Sequence, residues 1–166
     1  MYRILLAIAV PLALLVATPA FAQSGRSTSI GTVYTAVSGE DLEQILTVEG
    51  YTFERSVDSA GDPLFRIEIE GLKVVLIFNA CEEGACQNLQ LYTGFAMQEK
   101  PALSVVNGWN KTKRFGRAYI DDEADPVLES DLDLEGGVSA GAVAEFIRTF
   151  TVLSTAFAEH IGYKGG

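Results

Sequence analysis

The only two cysteines of the chain, Cys81 and Cys86, are its residues best suited to chemistry. Thiols at this spacing suit a metal site, a redox couple or a structural disulfide. Zinc would need two further soft or imidazole ligands, and the chain offers one histidine, His160. A redox couple more often has two residues between the thiols at a helix start, whereas these cysteines lie between two apolar runs. We therefore predict a structural disulfide across a hairpin, with a redox-active pair as the alternative, and no metal or cofactor.

The N-terminus indicates the compartment in which such a disulfide would form. Arg3 precedes a long apolar run, and Ala20-Phe21-Ala22 supplies the small residues that a signal peptidase requires. These features predict a signal peptide over residues 1–22, cut after Ala22, and hence a periplasmic or secreted protein, where disulfides persist. An uncleaved membrane anchor is the alternative, which the prolines in this segment weaken. After cleavage we expect no membrane span.

The composition predicts a single acidic domain. The 166 residues include 22 acidic and 12 basic ones, which gives a net charge of −10. Such a charge repels nucleic acid, so we expect no nucleic-acid partner although four bases cluster near Trp109. Those bases, which we expect to neutralise the acids at positions 121–125, are Lys111, Lys113, Arg114 and Arg117.

A second reactive pattern, Gly137-Val138-Ser139-Ala140-Gly141, matches the nucleophile elbow of serine hydrolases. That chemistry needs a histidine beside the serine. His160 lies on the same predicted helix, about 31 Å away at 1.5 Å per residue. We therefore expect Ser139 to cap a helix rather than to act as a nucleophile, and we predict no catalytic residue.

Acidic residues in the last third of the chain suggest two alternative functions, a calcium site and an enzyme active site. The run from Asp131 to Glu135 imitates half of a calcium loop, but Ala142 stands where the bidentate glutamate is required. The alternation suits a strand with a solvated acidic side better. A periplasmic enzyme is the alternative function, and it would bring Asp121, Asp122 and Asp131 together in one cleft.

Local patterns predict the elements that carry these residues. Ser38 and Asp41 form a capping box that starts a first helix, and Gly50 ends it. Pro101 suits the first turn of a second helix. An apolar stripe after Ser139, with spacings of three and four, predicts a long third helix. Alternating or apolar runs predict six strands, at residues 51–57, 64–70, 72–78, 89–97, 114–121 and 126–134.

The resulting order is α-β-β-β-β-α-β-β-α. Short turns between the strands favour an antiparallel sheet of about six strands with helices packed on it, which is the α+β class. Residues 23–36 are rich in Ser, Thr and Gly and are typical of a flexible linker. We place the domain at residues 37–162 and a short tail at 163–166.

Residues 107–139 resemble the signature block of the bacterial YbjN family. That block has an N-x-W-N helix end, a strand that begins with R-F and continues to Y-x-D, and a D-P-x-L-x-x-D segment followed by G-G. A looser similarity extends from about residue 38 to 162. The matching positions are Asn107, Trp109, Asn110, Arg114, Phe115, Tyr119, Asp121, Pro126, Leu128, Asp131 and Gly137.

The resemblance implies a fold like that of the type III secretion chaperones, small α+β proteins that often dimerise and bind extended peptides. It implies a regulatory role in sensory transduction and no catalysis. We therefore expect a non-catalytic module with a protein or peptide partner, and a homodimer as a further hypothesis. Within the block, we expect Asn110 to bridge the helix end to a strand and Trp109 to fill the space beneath. An exposed Trp109 would instead indicate a binding anchor.

Overall fold

A computed structural model describes residues 31–165, and every structural statement below concerns this part of the chain. The expected signal peptide, residues 23–30 of the expected linker and residue 166 lie outside it. The three helices are α1 (Gly39–Glu49), α2 (Leu103–Thr112) and α3 (Ala140–Ile161). The strands are β1 (Val33–Tyr34), β2 (Val37–Ser38), β3 (Thr52–Val57), β4 (Pro63–Ile69), β5 (Leu72–Glu82), β6 (Ala85–Gly94), β7 (Arg117–Ile120), β8 (Pro126–Asp133) and β9 (Val138–Ser139).

All strand pairs are antiparallel, which confirms the α+β class. The main sheet has the order β3-β4-β5-β6-β8-β7, and β2 pairs with the hairpin end of β6. A separate two-stranded sheet joins β1 to β9. The six predicted strands are present, and the two-residue strands β1, β2 and β9 are additional.

The folded part extends beyond the expected limits of 37–162. Val33 pairs with Ser139 and Tyr34 with Val138, so the end of the expected linker is a strand. At the other end, the ring centroid of Tyr163 lies 5.2 Å from that of Phe95, so the first residue of the expected tail packs against the core. The domain therefore includes both of these short segments.

The caps of α1 confirm the boundaries that its sequence predicts. The Asp41 N–H donates to Ser38 Oγ (3.2 Å), and the Ser38 N–H donates to Asp41 Oδ2 (2.9 Å). This reciprocal pair satisfies backbone donors that a helix start leaves without partners. At the other end, Gly50 has a φ of +80°, a left-handed conformation that glycine adopts without strain.

The second helix begins later than predicted. Pro101 was expected in its first turn, but α2 starts at Leu103, and its N-cap residue Ala102 offers no side-chain hydrogen bond. The helix then continues to Thr112. Because no side chain caps this start, the sequence carries no local signal for the first residue.

Alternation along the long strands separates two faces of the sheet. Residues such as Phe65, Leu76 and Leu91 are buried in one core together with residues of all three helices, among them Leu46 and Phe157. The residues between them are half-buried or exposed and form the open face. On β4, β5 and β6 the open face comprises Leu64, Arg66, Glu68, Lys73, Val75, Ile77, Asn79, Asn88, Gln90 and Tyr92.

Candidate functional site: the signature block and the sheet edges

The predicted disulfide joins Cys81 and Cys86, which face each other across the β5–β6 hairpin. The turn between them uses Glu83 and Gly84, both at positive φ. Cys86 is fully buried and is also the register partner of Val37 in β2. The bond therefore fixes the hairpin end against which the chain just before α1 is paired.

Trp109 lies in the core and is fully buried. Its ring centroid is 5.0 Å from that of Phe157 and 5.6 Å from that of His160, and Lys113 Nζ lies over the ring, 5.6 Å from its centroid. Trp109 Nε1 has no hydrogen-bond partner among the described residues. This position agrees with the expectation that Trp109 fills the space beneath the helix end, and it rules out an exposed anchor at this residue.

Asn110 bridges α2 to β7 through two hydrogen bonds with one residue. Its Nδ2 donates to the carbonyl oxygen of Ala118 (2.8 Å), and the Ala118 N–H donates to Asn110 Oδ1 (2.9 Å). A neighbouring strand would bond Ala118 in the same way. The side chain thus occupies the backbone groups of Ala118, one of the two residues of β7 that face outward.

A buried glutamate of β8, on the open face, contacts two polar residues of β7. Glu129 is only 4 % exposed, and its two oxygens are held by different partners. Arg117 forms an ion pair with Oε1, and the Tyr119 hydroxyl donates to Oε2 (3.2 Å). A buried carboxylate is tolerated when it is paired and hydrogen-bonded in this manner. Tyr119 belongs to the signature block, whereas Glu129 has no such sequence signal, since it shares the strand alternation of the exposed Asp131.

Asp121 and Asp125 shape the turn between β7 and β8. Asp121 Oδ1 accepts from the N–H groups of Glu123 (2.9 Å) and Asp125 (2.8 Å). Asp125 Oδ1 accepts from Lys100 and from the Met97 N–H (3.1 Å), and these bonds lower the pKa of that carboxyl. Lys100 therefore neutralises this turn, rather than the bases after Trp109 that the sequence suggested.

The acidic residues of the alternative enzyme do not meet in one cleft. Asp121 lies in the turn, where its N–H donates to the Asp125 carbonyl oxygen (3.0 Å). Asp131 lies on the open face, where its Oδ1 accepts from Gln90 (3.1 Å). The six residue steps from Asp125 to Asp131 along β8 correspond to about 20 Å. No shared site for Asp121 and Asp131 exists in this arrangement.

Ser139 and His160 also have separate structural contacts. The Ala142 N–H donates to Ser139 Oγ (3.2 Å), so Ser139 caps α3 as predicted. His160 Nε2 lies 2.9 Å from the carbonyl oxygen of Val105 on α2. The two residues stand at opposite ends of α3 and do not form a nucleophile and base pair.

Four other signature residues lie at bends or on exposed surface, whereas Pro126 and Leu128 are buried in β8. Phe115 is 74 % exposed and has a φ of +65°, and its carbonyl oxygen accepts from Ser130 Oγ (2.6 Å). Gly137 has a φ of +89°, and a Cβ there would lie 3.2 Å from Val33 in β1, which explains the glycine. Asn107 and Arg114 are exposed.

Residues 38–162, about three quarters of the chain, match the model of a protein family, YbjN, described as "Putative bacterial sensory transduction regulator". The chain belongs to the YbjN family. The family description names a regulatory role and no reaction, which agrees with a non-catalytic module. No curated protein matches the chain.

Within residues 31–165, no three side chains of the types His, Cys, Asp and Glu are grouped so that they could hold a metal ion. No helix in the same range combines the length and the hydropathy needed to cross a membrane.

The outer edge of β3 differs from the edge that Asn110 occupies. The Asp58 N–H donates to the carbonyl oxygen of Asp62 (2.9 Å), so the backbone groups of residue 58 point toward β4. Along an antiparallel strand, the backbone groups of successive residues point alternately toward and away from the neighbouring strand. The N–H and C=O groups of Phe53, Arg55 and Val57 therefore point away from β4. They make no hydrogen bond within the described residues. This free edge is the backbone surface on which the YbjN domain could add a strand.

Two concave surfaces flank the free edge on opposite faces of the sheet. On the helix side, a cavity of about 440 Å³ lies between the start of α1, Arg55, Val57 and the β5–β6 turn. On the open face, a smaller cavity of about 370 Å³ is lined by Thr52, Glu54 and their neighbours on β4 and β5. An added strand would direct alternate side chains toward these two surfaces.

Proposed function

We propose that this YbjN-family protein is an exported, non-catalytic regulatory module that holds an extended segment of a partner protein on the free edge of β3. The observation that carries the proposal is the difference between the two sheet edges. Asn110 occupies the edge of β7, whereas three residues of β3 offer unpaired backbone groups. Addition of a strand to an exposed edge is a common mode of peptide recognition, in which backbone hydrogen bonds supply affinity.

Export is the second part of the proposal. It is supported by the signal-peptide pattern of residues 1–22 and by the Cys81–Cys86 disulfide, which persists in an oxidising compartment. In this setting the mature chain starts at Gln23, carries no membrane span, and meets protein rather than nucleic acid.

Mass spectrometry of the protein purified from its native envelope fraction tests the export step. The expected chain begins at Gln23 and contains no free thiol. Recovery of a chain that begins at Met1 with two free thiols would contradict export.

Hydrogen exchange tests the binding step, with extended peptides selected from a random library as ligands. Bound peptide should protect the amides of Phe53, Arg55 and Val57. A Val57→Pro variant removes one outward N–H without removing a bond to β4 and should weaken binding, whereas the matched Val57→Thr variant keeps the N–H and should not. Protection elsewhere, with β3 unchanged, would contradict the proposal.

A further inference from the structure

Acidic residues outnumber basic ones around the free edge of β3. Residues 39–71, which form α1, β3 and β4, contain nine acidic residues and two basic ones, a balance of −7 within a total of −10. Residues 109–117, around the start of β7, contain four basic residues and no acid. The β7–β8 turn that follows them is acidic, and the free edge of β3 also lies in an acidic part of the chain.

Glu54 is the acid best placed to contact an added strand. It lies in the middle of β3, its side chain is on the open face, and it forms no ion pair among the described residues. Arg66, its register partner on β4, donates instead to Ser56 Oγ (2.9 Å). A cation on the neighbouring position of an added strand would lie directly beside this carboxylate.

The helix side of the same strand offers apolar contacts. Val57 is 66 % exposed, and Phe53 is half-buried with its ring 5.6 Å from that of Phe65. Between them, the Arg55 guanidinium is already paired with Glu40 (3.3 Å) and Glu43 (3.1 Å). With that charge compensated, aliphatic side chains of an added strand would cover Val57 and Phe53.

We propose that the segment bound at β3 alternates basic and aliphatic side chains, with Lys or Arg on the open face beside Glu54 and aliphatic residues on the helix side beside Phe53 and Val57. This inference rests on the proposed function and names the chemical class of the partner segment. The free edge of β3 hydrogen-bonds to the backbone of the partner segment, and the alternation of side chains determines which segments bind.

Synthetic peptides of about ten residues, longer than β3, provide the probe. One alternates lysine and valine, a second alternates glutamate and valine, and a third has the composition of the first without its alternation. Each is titrated into the oxidised chain beginning at Gln23, and hydrogen exchange locates the bound peptide. Binding of the first peptide at β3, with the other two much weaker, is the expected result.

Two charge-reversal variants separate the local contact from general attraction to an acidic protein. Glu54→Lys should weaken binding of the lysine–valine peptide about tenfold, since a favourable ion pair becomes a repulsive one. Glu123→Lys makes the same charge change in the β7–β8 turn on the opposite edge, where Glu123 is exposed, and should leave the affinity within about twofold. Unchanged melting temperatures show that both variants fold.

Four other outcomes would overturn the inference. Equal binding of the lysine and glutamate peptides, with both protecting β3, would leave the proposed function intact. It would contradict the preference for a basic partner segment. Equal weakening by Glu54→Lys and Glu123→Lys would reduce the effect to overall charge. A concentration-dependent dimer that protects the same amides would make a second copy of the chain the occupant. Absence of β3 protection by any peptide would contradict the proposed function itself.

Discussion

Asn110 replaces a neighbouring strand with a single side chain. Its amide donates to and accepts from Ala118, one of the two residues of β7 whose backbone groups face outward. The interaction requires both halves of a carboxamide, because one backbone donor and one backbone acceptor must be satisfied together. This requirement gives a physical reason for an asparagine at this position of the YbjN signature.

Replacement of Asn110 by Ala should lower the free energy of unfolding by about 1–3 kcal/mol, since two hydrogen bonds of about 0.5–1.5 kcal/mol each are lost. Urea denaturation monitored by circular dichroism measures the change. Asn107→Ala is the matched control, because Asn107 is an exposed asparagine on the same helix and makes no side-chain hydrogen bond among the described residues. Equal costs for the two variants would contradict the bridge.

Asp125 provides a prediction for pH dependence. Its hydrogen bonds with Lys100 and the Met97 N–H hold its pKa below the usual 3.8, so the folded state favours the ionised carboxyl. That contribution to stability is present above pH 3.8 and is lost as the pH falls through the lower folded-state pKa. Asp125→Asn should therefore be less stable than the natural protein at neutral pH, and the difference should narrow below about pH 4.

Denaturant titrations over a series of pH values measure this difference. Asp122→Asn is the control, because Asp122 is an exposed acid of the same turn. Its difference from the natural protein should stay small at every pH. If the loss of unfolding free energy in Asp125→Asn were the same at every pH, the charge-dependent role of the carboxyl would be contradicted.

Among the elements, the β5–β6 hairpin depends on its disulfide. The chain-entropy estimate for so small a loop is about 2 kcal/mol, so reduction should lower the free energy of unfolding by about that amount. The same protein is unfolded with urea in the presence and absence of a dithiol reductant. The Cys81→Ala/Cys86→Ala double variant serves as the control and should not respond to reductant. A similar response in both proteins would show that the reductant acts elsewhere.

Most elements could be predicted because their signals are local. The capping box at Ser38 and the apolar stripe of α3 lie within the helices that they specify, and alternation marks the long strands. Strands β1 and β9 could not be predicted in this way. Each has two residues, and the partner of Val33 is Ser139, so no periodicity and no nearby residue indicates the pairing. The start of β7 was also misplaced, because Phe115 adopts a positive φ just before it.

Residues of the candidate site could be predicted only where their role follows from a single helix or strand. The position of Asn110 at a helix end indicated a bridge to a strand, and the structure contains that bridge. Glu129 follows the same alternation as Asp131, which predicts a solvent-exposed side chain. It is buried instead, because it is bound by Arg117 and Tyr119 of the neighbouring strand. The free edge of β3 depends on the order of strands in the sheet, which the sequence pattern does not specify.

On the scale of the whole molecule, one aromatic cluster connects distant parts of the chain. The ring centroid of Phe157 in α3 lies 5.5 Å from that of Phe95, which follows β6, and 5.0 Å from that of Trp109 in α2. The ring of Tyr163, which follows α3, also packs against that of Phe95. The cluster holds together segments that are far apart in sequence, so its loss should affect the entire domain rather than one element.

Phe157→Ala should lower the free energy of unfolding by about 3–5 kcal/mol, the usual cost of removing a fully buried phenylalanine. Thermal and urea denaturation measure the loss. Phe115→Ala is the matched control, because Phe115 is mostly exposed and its removal should change the stability by no more than about 0.5 kcal/mol. A small effect of Phe157→Ala would contradict the role of the cluster.

The two outer strands of the main sheet offer unequal borders for a further strand, because three residues of β3 face outward without partners among the described residues. The β7 border is shorter, and the Asn110 amide already occupies the backbone groups of Ala118, one of its two outward-facing residues. Growth of ordered aggregates by repeated edge pairing needs two free borders on each molecule. This domain should therefore form complexes of fixed stoichiometry and should resist fibre formation even at high concentration.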